Sequence, residues 1–206
     1  MQPLLTFGDT NAPTAGQGCV TNLYHPIYPG MPISSTPIDG LLLFEPRVFG
    51  DERGYFMETY NERTFADGGI DATFVQDNQA ASSYGVLRGL HMQKGEHAQS
   101  KLVRVISGEV FDVAVDLRPE SPTYKQWYGV YLSGENHRQL FVPRGFIHGY
   151  LVTSAHAVFA YKCDNFYAPQ AEHGFRYDDP AFGIEWPEVE GDYTIAERDL
   201  GYDWME

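Results

Sequence analysis

The chain has 206 residues, with 14 Lys+Arg against 28 Asp+Glu, a formal net charge of −14, 43% hydrophobic residues and 15% aromatic ones. This content supports one folded domain with a sizeable core and excludes a disordered acidic chain, which is poor in rings and β-branched residues. The acidic balance excludes a general nucleic-acid binder, whose surface must be basic to displace counterions from phosphates. A small anionic ligand is compatible with it only if positive side chains are concentrated in one pocket.

The opening segment, MQPLLTFGDT, has no basic stretch followed by an apolar one. No apolar run approaches the roughly 20 residues that cross a bilayer. No membrane association and a cytoplasmic location are therefore expected. Cys19 and Cys163 have neither metal-ligand spacing nor a disulfide framework. Residues 1–37 are rich in Gly, Pro, Thr and Asn, lack a sustained period of 2 or 3.6, and contain the turn signal Tyr28-Pro29-Gly30. They read as an irregular N-terminal arm, packed on the body through Tyr24 and Tyr28, with residues 38–206 as a single domain.

From Leu41 onward the pattern is of short strands separated by turns. Lys101–Ile106, a turn at Ser107-Gly108 and Glu109–Phe111 make a hairpin. Phe111, Val113, Val115 and Leu117 alternate with Asp112, Ala114 and Asp116, which predicts a half-buried strand. Trp127–Leu132, Gln139–Val142, Gly149–Thr153 and Ala157–Cys163 continue the series. Helical pattern is confined to a turn or two near Asn61–Ala66 and to Ile195–Leu200. Asp178-Asp179, followed by Pro180, reads as a turn. Many short strands with frequent turns predict an all-β sandwich or barrel.

Pro143-Arg-Gly-Phe-Ile-His148 is a turn feeding an apolar strand and resembles the second motif of cupin jelly rolls. Metal cupins carry His-x-His in the preceding half. Here the corresponding stretch is Gly89-Leu-His91-Met-Gln93, with Gln at the second position, so three imidazoles do not converge on an ion. A cupin-type jelly-roll β-barrel with short flanking helices and no catalytic metal is expected.

A wider set of strings is more specific. Phe49-Gly-Asp-Glu-Arg-Gly-Tyr-Phe56, Phe74-Val-Gln-Asp-Asn78, Gly85-Val-Leu-Arg-Gly-Leu-His91, Asp112–Arg118, Ser121-Pro-Thr, Tyr161-Lys162 and Ile184-Glu-Trp-Pro187 occur in order between about Gly40 and Asp199. Together they resemble the dTDP-4-dehydrorhamnose 3,5-epimerase family. The resemblance implies an isomerase without a cofactor, acting on a nucleotide-diphosphate 4-keto-6-deoxy sugar. The ketone acidifies hydrogens on C3 and C5, so inversion needs a base on one face, an acid on the other and electrostatic support for the enolate between them. It implies His91 as base with Asp199 behind it, Tyr161 as acid and Lys101 as the cation for the enolate. It further implies Arg53, Glu58, Gln76, Asn78, Arg88, His148, Tyr167 and Glu172 as substrate-binding residues. His148 also reads as a satisfied core histidine. In that family the early strand carrying Arg53 and Glu58 serves the neighbouring subunit's site, which implies a homodimer. A single-carbon 3-epimerase, a GDP- or CDP-sugar epimerase of the same fold and a non-catalytic sugar-binding module are the alternatives.

Overall fold

The structure is a computed structural model and describes residues 19–20 and 33–205. The expected packing of the arm through Tyr24 and Tyr28 lies outside these residues. The described residues form fifteen strands: β1 (Cys19–Val20), β2 (Ile33–Ser35), β3 (Leu42–Phe44), β4 (Val48–Asp51), β5 (Gly54–Met57), β6 (Gln76–Ser83), β7 (Val86–Gln93), β8 (Lys101–Ser107), β9 (Glu109–Asp116), β10 (Trp127–Ser133), β11 (Gln139–Val142), β12 (Phe146–Val152), β13 (His156–Cys163), β14 (Glu172–Gly174) and β15 (Thr194–Ile195). Two short α-helices, α1 (Glu62–Asp67) and α2 (Glu197–Leu200), and two single 3-10 turns at Gly95–His97 and Pro169–Ala171 complete the set. One sheet runs β1-β10-β9-β12-β7-β14, with β15 also pairing β7, and the other runs β2-β3-β11-β8-β13-β6. β4 and β5 stand apart as a hairpin. The arrangement is cupin-like.

The two sheets face each other over a core that includes Val103, Val105, Ala114, Val130, Leu140, Val152 and Phe159. β9 departs from the half-buried strand its alternation predicts, because both of its faces are covered. Phe111, Val113 and Val115 lie under Phe182 and Trp127, with Ile184, Trp186 and Met205 of the C-terminal segment packed against the same cluster. The even residues turn inward, so Asp112 and Asp116 are fully buried carboxylates that must find partners. Asp116 accepts hydrogen bonds from Arg118 Nε, Ser121 Oγ and Thr123 Oγ1; Asp112 binds His148.

The outer face of the second sheet is closed by α1. Asn61 caps this helix, its side chain accepting from the backbone N–H groups of Arg63 and Thr64 at 3.1 and 3.3 Å. Phe65 then packs on Phe44 with ring centroids 4.7 Å apart and is 1% exposed. Truncating such a ring costs about 3–5 kcal/mol. β2 pairs antiparallel with β3, so residues 33–35 already belong to this sheet. Gly108 makes the predicted β8–β9 turn with φ +79°, and a Cβ there would lie 1.9 Å from the His156 carbonyl oxygen, which only glycine avoids.

Two features of the chain's end place the site. Asp179 accepts from the backbone N–H groups of Ala181 and Met205 at 2.8 and 2.6 Å, fixing the Asp178-Asp179 turn and folding the C-terminus back across the first sheet. β15 then pairs in parallel with β7 at Val86 and Leu87. This delivers α2 to the barrel opening beside His91.

Candidate active site

A cavity of about 730 Å³ lies between the sheets. It is walled by β6, β7, β8, β12 and β13 and rimmed by β14 and α2. Side chains of opposite chemistry reach it from different strands because period-2 alternation turns every second residue inward. His91 comes from β7, Lys101 from β8 and Tyr161 from β13.

His91 Nε2 lies 2.8 Å from Asp199 Oδ1. The Gly89 N–H donates to Asp199 Oδ2 at 3.3 Å, and Arg198 Nε donates to Oδ1 at 3.3 Å. Burial opposes ionisation of Asp199, but these bonds together hold its carboxyl below the ordinary value. An ionised Asp199 orders the imidazole with Nε2 as the protonated nitrogen, leaving the Nδ1 lone pair free to accept a proton. Glycine at 89 is required. Its φ is +133°, and a Cβ would lie 2.6 Å from the Gly149 Cα on β12. This close approach of β7 to β12 seats His91 opposite His148 in register.

The Lys101 ammonium has no carboxylate within ion-pair distance among the described residues, and its Nζ lies 5.9 Å from the centre of the Tyr161 ring. Burial pushes Lys101 down from its usual value, against the attraction of Asp112 and Glu172. An inward ammonium without a partner creates demand for an anion. Burial likewise pushes the Tyr161 phenol up to about 12, with Cys163 and Tyr150 adding to the shift, so it stays protonated through the neutral range.

Gln76, Asn78, Arg88, His148, Tyr167 and Glu172 also line the cavity. Gln76 Nε2 donates to Asn78 Oδ1 at 3.0 Å, and the Tyr167 hydroxyl donates to Glu172 Oε2 at 2.7 Å. His148 shares its Nε2 between both Asp112 oxygens at 3.0 Å each and is 7% exposed, which gives it a structural partner whatever else it does. Cys163 is a buried free thiol directly across from Lys101 in the β13–β8 register, and it accepts from Asn78 at 3.7 Å. Arg53 and Glu58 do not reach this cavity. Arg53 sits at the tip of the β4–β5 hairpin, paired with Asp51, and Glu58 follows the hairpin and accepts from Asn61.

Arg198 has no signal in the sequence beyond adjoining Asp199. It lines the cavity, pairs with Glu172 at 2.9 Å and approaches His91 Nε2 at 3.4 Å. Gln93, read only as a missing metal ligand, is a buried side chain of the same wall.

A cupin-like barrel whose lumen holds an oriented imidazole, an ammonium with no ion-pair partner among the described residues and a protonated phenol defines a class of proteins built for acid–base chemistry on an anionic or enolisable small molecule. Residues 35–206 match the family described as dTDP-4-dehydrorhamnose 3,5-epimerase. The chain is 53% identical over 168 residues to the dTDP-4-dehydrorhamnose 3,5-epimerase of Methanothermobacter thermautotrophicus, covering 81% of this chain and 90% of that one. It is 56% identical over 158 residues to the Salmonella typhimurium enzyme of that name, covering 76% and 86%. The crystal structure of dTDP-6-deoxy-D-glucose-3,5-epimerase from Legionella pneumophila, in complex with dTDP-4-keto-L-rhamnose, superposes with a TM-score of 0.80 at 48% identity, covering 84% of this chain and 91% of that one. This chain belongs to the dTDP-4-dehydrorhamnose 3,5-epimerase family.

Proposed function

We propose that this protein inverts C3 and C5 of dTDP-4-dehydro-6-deoxyglucose to give dTDP-4-dehydrorhamnose. The observation that carries the reading is the convergence of His91, Lys101 and Tyr161 from three strands on one cavity. Nδ1 of His91 removes the proton next to the ketone, and Asp199 stabilises the imidazolium that forms. Charge moves to the C4 oxygen, where Lys101 offsets it in a site of low dielectric. Tyr161 gives its proton to the opposite face of the carbon, and exchange with solvent restores both groups before the second centre reacts. Arg88, with Gln76, Asn78, Tyr167 and Glu172, holds the nucleotide sugar; a forked guanidinium suits a diphosphate.

The reading includes a homodimer in the cytoplasm. The β4–β5 hairpin presents Phe49, Tyr55 and Phe56 at 50%, 59% and 70% exposure, around Arg53. Apolar rings displayed this way suit a partner subunit, with Arg53 and Glu58 serving its site.

The test is incubation with dTDP-4-dehydro-6-deoxyglucose in D2O, followed by NMR. Deuterium should enter at C3 and C5 with formation of the rhamno product, and His91→Asn should stop exchange at both. Exchange at C3 alone would make the protein a 3-epimerase. Preference for a GDP- or CDP-linked sugar would reassign the substrate, and no exchange with any of them would leave a binding module.

A further inference from the structure

Gln93 stands two residues beyond His91 on β7, is 5% exposed, and spends all of its amide on backbone groups. Its Nε2 donates to the carbonyls of His97 and Phe166 at 2.7 and 3.2 Å, and its Oε1 accepts from the Ala168 N–H at 2.8 Å. The last two groups bracket Tyr167, the residue whose hydroxyl bonds Glu172 on the cavity rim. We infer that Gln93 is a positioning residue: it clamps the 166–168 loop so that Tyr167 is held ready for the sugar nucleotide, and it acts on substrate only through Tyr167.

The chemistry explains why an amide stands here. Two carbonyls and one N–H must be satisfied by a single buried side chain, which calls for two donors and one acceptor in one plane. Glutamine has that set. Histidine has two ring nitrogens and meets at most two of the three demands, and glutamate has no donor. At the position where a metal cupin places its second imidazole, this chain therefore carries a loop clamp. Gln93 shares the segment with other ties: the Tyr167 N–H donates to Gln76 Oε1 at 3.0 Å and Gln99 Nε2 donates to the Asn165 carbonyl at 2.7 Å, but only Gln93 bonds the backbone on both sides of Tyr167 among the described residues. Losing the clamp should loosen the rim while leaving the strand residues His91, Lys101 and Tyr161 in place.

The kinetic arm rests on the epimerase reading, and a binding arm with dTDP alone does not need turnover. Gln93→Met and the near-isosteric Gln93→Glu should each raise KM for the sugar nucleotide by about tenfold, the scale of losing one or two net hydrogen bonds, and leave kcat for deuterium exchange close to wild type. Gln93→Glu carries the test if Gln93→Met fails to fold. The deciding measurement is a double-mutant cycle with Tyr167→Ala, for KM and for calorimetric binding of dTDP. If Gln93 acts through Tyr167, its substitution costs nothing further once Tyr167 is gone. Additive effects, or a loss of thermal stability with unchanged KM, would overturn the inference. Absence of turnover by the wild-type protein would count against the proposed reaction, and the dTDP cycle would still decide the clamp.

Discussion

Asp199 and His91, 108 residues apart in the chain, meet at 2.8 Å, with 3% of the Asp199 side chain exposed against 23% of the imidazole. The carboxylate is on the protein side of the ring and the ring is on the cavity side. That order suits a base held from behind, and it depends on the last strand and helix returning to β7.

The first prediction follows from this pair. Asp199→Asn keeps the shape and removes the charge that orients the imidazole. Deuterium exchange at C3 and C5 should fall about 10²-fold or more, within the range for disabling general base catalysis. The melting temperature should change little by comparison. Exchange at the wild-type rate would remove Asp199 from the reaction.

Tyr161→Phe separates the acid from the base. The ring and its contact with Phe159, 6.1 Å between centroids, are retained while the proton is lost. His91 can still remove a proton and return deuterium to the same face. Exchange should therefore persist at one or both carbons while inverted product collapses. Equal loss of exchange and inversion in a variant of unchanged stability would make Tyr161 a binding residue.

The alkaline limb of the rate profile should belong to Lys101. Burial moves its ammonium down and moves the Tyr161 phenol up to about 12, so on raising the pH the lysine is the first of the two to lose the form the reaction needs. In Lys101→Arg, whose guanidinium keeps its charge, that limb of kcat should shift to higher pH even if the plateau drops. A limb that stays in place belongs to another group.

Assembly supplies a fourth test. Sedimentation of the wild-type protein should give a mass near twice 23.2 kDa. Phe56→Asp puts a charge on the hairpin where the ring is 70% exposed and should shift the protein toward monomer. Because Arg53 and Glu58 lie on or beside that hairpin and miss their own chain's cavity, activity should fall with the dimer. A fully active monomer would refute the shared site.

Much of the architecture was legible because local pattern and tertiary role agree. The strands beginning at Lys101, Trp127 and Gln139 and the turn at Gly108 need only alternation and a glycine with φ +79°. The helix at Glu62–Asp67 needs only its Asn61 cap and one buried ring, and it lies within one residue of its predicted bounds. β9 differs from its pattern on the polar face, which is buried. Alternation of Asp112 and Asp116 with apolar residues is the ordinary mark of a solvated face; the partner of Asp112, His148, lies 36 residues on, and the partners of Asp116, Arg118 with Ser121 and Thr123, are close in the chain but meet it only once the turn after β9 folds back.

The sequence by itself determined the fold class, the family and the residue types of the site, since these reside in short strings whose order survives without coordinates. Only the tertiary structure decided which of those residues share a cavity. His91, Lys101, Tyr161 and Asp199 do; Arg53 and Glu58, carried by a separate hairpin, do not. It also decided that Gln93 bonds the backbone on both sides of Tyr167 and that Arg198 bridges Glu172 to the His91–Asp199 pair. The physical reason is that alternation states which side of a strand a residue faces, whereas its partners across the lumen depend on strand order and on where the chain's end returns.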